Sequence, residues 1–130
     1  MTNLELVKST YEGGSSEQNA VNTEKAVATD VLWTEAKGFP YAGTYKGFAN
    51  VQQHVFQRLA NEWKDYKLTP DKFVVDGDTV VVIGTYSGTF LKTNVYFEAR
   101  ASHIWNLRNN QVIQFEQIVD SHTVQLAMHD

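Results

Sequence analysis

The chain has 130 residues, a formal charge of −4, 42% apolar residues and no cysteine. One domain of that size buries roughly two thirds of its unfolded surface in a single core, with no need of a disulfide or metal staple. The acidic balance and the lack of a basic run exclude nucleic acid and anionic membranes as main partners, and the missing cysteines exclude thiolate catalysis and sulfur-ligated zinc.

The opening residues, MTNLELVKSTYEGG, carry neither a basic leader nor a continuous apolar run, and no stretch approaches the roughly 20 residues of a membrane span. That pattern predicts a soluble cytoplasmic protein. Leu4, Val7 and Tyr11 fall at helical spacing over residues 3–12, and Gly13-Gly14 stops the helix. Ser15 with Gln18 resembles a capping box for a second, weakly amphipathic helix ending near Thr29. Residues 31–36 alternate as a short strand, with Val31, Trp33 and Glu35 on one face. Residues 37–47, KGFPYAGTYKG, form a shaped loop rich in glycine and aromatics. From Phe48 to Trp63 the set Phe48, Val51, Val55, Phe56, Leu59 and Trp63 gives the clearest helical stripe in the chain.

Beyond Asp65 the period changes to two. Residues 66–75 and 79–90 flank Asp76-Gly77-Asp78 as a hairpin, with Pro70 confining the first strand to an edge or a bulge. The strand over residues 93–107 sets Val95, Phe97, Ala99, Ala101, His103 and Trp105 on one face, so an ionisable ring lies on an apolar wall and needs a partner. Residues 108–111 turn into a last strand, 111–119, and a short helix follows over 121–128. Burial of Ile113 and Phe115 selects a three-residue turn that pairs Trp105 with Ile113, His103 with Phe115 and Ala101 with Gln117, leaving Gln117 diagonal to His103 and within hydrogen-bond reach. These elements make one α+β domain over residues 1–130, a mostly antiparallel sheet wrapped around the long helix.

The segments DVLWTEAKGFPYAGTYKG, VVDGDTVVVIGTYSG, SHIWNLRNNQV and FEQIVDS resemble the SnoaL-like branch of the nuclear transport factor 2-like superfamily. The resemblance implies a cone-shaped fold, an apolar internal pocket and a homodimer formed through the sheet. Ketosteroid isomerases of that superfamily place a base on the first strand, a tyrosine on the first helix and a protonated aspartic acid on a later strand. Those positions fall on Glu35, Tyr11 and His103. Glutamate thus stands one methylene longer than the family's aspartate, and histidine replaces the acid donor. Trp33, Tyr41, Phe56, Ala101, Trp105, Phe115, Gln117 and Asp120 are expected around the pocket. SnoaL-type cyclases use an aspartate late in the sheet, for which Asp120 stands here, although it also suits the cap of the final helix. Limonene-type epoxide hydrolases need an arginine and aspartate two apart, and Arg100-x-Ser102 lacks the aspartate.

Two functions follow as expectations. In the first, Glu35 takes a proton next to the carbonyl of a small hydrophobic substrate while His103, helped by Tyr11 or Gln117, stabilises the enolate oxygen without a cofactor. The second is a non-catalytic dimeric module that holds a small apolar ligand. His54, His122 and His129 show no metal-ligand spacing, so no metal is expected, and Arg58 is read as solvated.

Overall fold

The computed structural model describes residues 1–129. Helices α1 (Asn3–Ser9) and α2 (Ser16–Ala26) precede strand β1 (Val27–Glu35). A short β2 (Gly43–Lys46) and the long helix follow; the latter runs from α3 (Phe48–Val51) through a π-helical turn (Gln52–Phe56) into α4 (Gln57–Glu62). Strands β3 (Trp63–Asp76), β4 (Thr79–Phe90), β5 (Val95–Arg108) and β6 (Gln111–Val119) come next, and α5 (Ser121–Met128) ends the set. All six strands form one curved sheet in the order β2-β1-β6-β5-β4-β3. Among the described residues no helix is long and apolar enough to cross a membrane.

Local chemistry accounts for most boundaries. The Ser15 hydroxyl accepts from the Gln18 N–H at 3.1 Å and starts α2, as expected. Thr2 and Glu5 form a full capping box that fixes the start of α1. β1 begins four residues earlier than its alternation indicated, because α2 already ends at Ala26. The glycine-rich loop contains β2, which pairs antiparallel with β1. One pairing departs from the expected antiparallel order: β1 runs parallel to β6, which joins the N-terminal strand to the sheet's centre.

The inner face of the sheet carries the core. Val80, Val82, Tyr86, Phe97, Ala99, Trp105 and Phe115 are buried there against Val7, Val51 and Val55 of the helices. Curvature comes from β3 and β4. Pro70 sits at a register shift on an edge strand, with both alternatives read from the sequence realised together. Opposite it, a Cβ on Gly84 would stand 2.5 Å from the Thr69 carbonyl oxygen, so β3 folds over β4 only because Gly84 has no side chain.

The last hairpin corrects the expected register. Asn109 and Asn110 both have positive φ, 52° and 61°, and make a two-residue turn that pairs Arg108 with Gln111. A bulge between Asn106 and Leu107 then skips Ile113 and restores odd-with-odd pairing. Trp105 therefore faces Phe115, His103 faces Gln117 and Ala101 faces Val119, each two residues beyond the expected partner.

Candidate functional site

A pocket of about 470 Å³ lies between the inner sheet face and the helices, with Tyr11, Trp33, Glu35, Phe56, Tyr66, Tyr86, His103, Trp105 and Phe115 in its wall. β1 aims Glu35 inward because Val31, Trp33 and Glu35 share its buried face. Glu35 is only 5% exposed; Oε2 accepts from the Trp33 indole N–H at 2.9 Å. Burial pushes its pKa up to about 8, with the indole N–H opposing in part. Glu35 is therefore held mainly in its neutral, protonated form at pH 7.

His103 is enclosed between two phenols. Its Nδ1 lies 2.6 Å from Tyr11 Oη and its Nε2 lies 2.5 Å from Tyr86 Oη. Burial lowers its pKa to about 3, so the ring is neutral. The Trp105 indole N–H donates to Tyr11 Oη at 2.9 Å, and the Gln117 side-chain amide donates to Tyr86 Oη at 2.9 Å. Gln117 is itself oriented by the Ala36 N–H, which donates to its Oε1 at 2.9 Å. Gln117 therefore reaches His103 through Tyr86, not directly.

A proton count follows from these contacts. A neutral imidazole holds one N–H, and the two phenols hold one O–H each. Three hydrogens meet two contacts, so one phenolic O–H is left without a partner inside the network. Next to it, Tyr66 has a hydroxyl closed off from solvent that makes no hydrogen bond to any described residue. Tyr86 lies within side-chain reach of that hydroxyl, though not in line for a regular bond, and contact between the two raises the Tyr66 phenol and lowers that of Tyr86, while burial is the main cause that raises both.

Of the residues expected at the site, Tyr11, Trp33, Glu35, Phe56, His103, Trp105 and Phe115 share this pocket wall. Four lie elsewhere. Tyr41 packs the glycine loop against α4, donating to Glu62 Oε1 at 2.6 Å and accepting from the Trp63 indole at 3.0 Å. Arg58 is not simply solvated, since its guanidinium lies 4.5 Å from the centre of the Tyr41 ring. Ala101 is buried beside Val119, and Gln117 stands behind Tyr86. Asp120 caps α5, accepting from the Thr123 N–H at 3.2 Å. Tyr86 and Tyr66 were absent from the expected site. Tyr86 was legible as a lone phenol in phase with Val80, Val82 and Phe90, whereas Tyr66 depends on a bulge that periodicity does not register. Among the described residues no three His, Asp or Glu side chains cluster as a metal site.

A curved α+β sheet, closed by helices over an aromatic pocket with a buried acid and an imidazole, defines an NTF2-like protein of cystatin-like fold. The profile of the SnoaL-like domain matches residues 7–115, and the chain belongs to that family. It is similar to an NTF2-like protein from Burkholderia thailandensis E264, at 34% identity over 100% of this chain and 99% of that one, with a TM-score of 0.93. TerC, crystallised with polyporic acid, matches at 23% identity over 98% of both chains with a TM-score of 0.86. A putative SnoaL-like polyketide cyclase from Jannaschia sp. CCS1 matches at 17% identity over 96% of this chain and 90% of that one, with a TM-score of 0.79. No curated protein matches the sequence.

Proposed function

We propose that the protein binds a small, flat, largely apolar carbonyl compound and moves a proton at the carbon beside the carbonyl, as an isomerase or cyclase does. The observation that carries this reading is one pocket holding both a carboxylic acid raised to about 8 and a phenol–imidazole–phenol network with a surplus O–H. A carboxylate with a pKa near the working pH is strong enough as a base to take a weakly acidic C–H proton and return it. The surplus phenolic O–H donates to the oxygen on which negative charge develops. His103 acts through Tyr11 and Tyr86, since both its nitrogens are taken by them. No cofactor enters these steps. The fold's occurrence in a relative crystallised with polyporic acid and in a putative polyketide cyclase supports an oxygenated aromatic or polyketide-like ligand.

A second reading, ligand binding without chemistry, is favoured by the engagement of both His103 nitrogens by protein phenols, which leaves the ring itself no contact to make with a substrate. Deuterium exchange from solvent into a panel of cyclic ketones separates the two. The catalytic reading expects exchange that falls about 100-fold or more in Glu35→Gln. Equal rates above the solvent background in both proteins reject Glu35 as the base, and no exchange above background in the wild type leaves the binding reading. In either case we assign the outer face of the sheet, where Leu32 and Ile118 are exposed, to a homodimer contact.

A further inference from the structure

The stranded Tyr66 hydroxyl is not an accident of loose packing. β3 bulges between Lys64 and Lys67, Asp65 takes the left-handed conformation at φ 54°, and Gly88 leaves room where a Cβ would stand 3.2 Å from Tyr66 Cα. Three local departures from regular strand thus place one phenol beside Tyr86, with ring centres 5.2 Å apart and planes tilted 37°. Tyr86 Oη is the neighbouring acceptor within side-chain reach of the Tyr66 hydroxyl.

We propose that Tyr66 sets the direction of the hydrogen-bond chain, so that Nδ1 of His103 carries the ring proton and Tyr11 presents its O–H to the ligand oxygen. The inference deepens the function proposed above by naming the donor. Tyr86 Oη already accepts from Gln117 and has one lone pair left. When Tyr66 donates to that lone pair, Tyr86 must give its own hydrogen to Nε2. The ring proton is then on Nδ1 and is donated to Tyr11 Oη, which also accepts from Trp105. With both lone pairs filled, Tyr11 can only donate outward, to a carbonyl or enolate oxygen in the pocket. The opposite direction leaves one hydrogen of the Tyr66–Tyr86 pair buried and unmet, which biases the ring roughly tenfold or more against Nε2–H. Tyr66 is a positioning residue and touches no substrate in this scheme.

Long-range 1H–15N spectra of the full chain with labelled histidine read the ring proton directly, and no substrate is needed. The wild type is expected to show Nδ1–H at His103. In Tyr66→Phe, which removes only the hydroxyl, Tyr86 regains a free lone pair, and the Nδ1–H to Nε2–H ratio falls roughly fivefold or more. Glu35→Gln leaves the ratio unchanged even where it abolishes exchange, so failure here and failure of the proposed chemistry are distinct. An Nε2–H ring in the wild type overturns the inference whatever the variant does, and so does an unchanged ratio in folded Tyr66→Phe.

Discussion

Glu35 and His103 are both held neutral by burial, and that one cause moves their pKa values in opposite directions, to about 8 from 4.5 for the acid and to about 3 from 6.5 for the imidazole. Between about pH 3 and 6.5 the unfolded chain binds a proton at His103 that the folded chain refuses, so this residue makes stability rise with pH. Between about 4.5 and 8 the folded chain holds a proton at Glu35 that the unfolded chain releases, so that residue makes stability fall. The two slopes oppose one another from about 4.5 to 6.5 and leave Glu35 alone above it. Urea titrations are therefore expected to show stability dropping from pH 6.5 to 8 with a slope approaching about 1.4 kcal/mol per pH unit, absent in Glu35→Gln. A parallel drop in the variant would place the titrating group elsewhere. Residue types at strand spacing already pointed to both groups, because each sits in phase with apolar neighbours that force it inward. The sequence does not carry the partners: Tyr86 reaches over from the neighbouring strand β4, and Tyr11, 92 residues away in the chain, arrives from the turn after α1, which ends at Ser9 and not at residue 12 as its spacing indicated.

Strands and helices were legible where a single period governs them and obscure where two constraints compete. The β5 alternation reads directly into its burial, Phe97 through Leu107 inward. The final hairpin does not, since turn chemistry favours two left-handed asparagines while burial demands odd-with-odd pairing. A bulge at Ile113 satisfies both. The long helix keeps its apolar stripe as far as Leu59, with Trp63 already in β3, and it widens to a π turn over Gln52–Phe56, a change of hydrogen-bond register that composition does not encode. Sheet curvature likewise resides in what is missing: Gly84 and Gly88 point at β3 backbone. In Gly84→Ala the new methyl would meet the Thr69 carbonyl oxygen at 2.5 Å and Pro70 Cα at 3.0 Å, both main chain and neither free to rotate away. Chemical denaturation should show a loss of about 1–3 kcal/mol or more for this variant. Wild-type stability would mean that β3 does not fold over β4 as described.

At the scale of the molecule, the succession of helices followed by strands gave the class, and the quoted segments gave the family, but the parallel β1–β6 pairing that closes the cone depends on contacts between distant parts of the chain. The single chain exposes 7211 Å², close to the roughly 6,900 Å² expected of a folded monomer of its mass. A homodimer would be made by apolar side chains that the core leaves exposed. Leu32 and Ile118, 41% and 49% exposed, lie on the outer face of the adjacent strands β1 and β6, opposite the pocket wall. Ile118→Glu places a charge in that contact without touching the inner face, so the expected result is loss of the dimer with folding and pocket intact. Sedimentation velocity at micromolar protein should give a dimer for wild type and a monomer for the variant, which still melts cooperatively, at a midpoint lowered only by the stabilisation that the dimer adds through mass action. A wild type that sediments as a monomer at all concentrations removes the dimer from the functional reading. A variant that unfolds instead shows that the outer face belongs to the core's support and not to an interface.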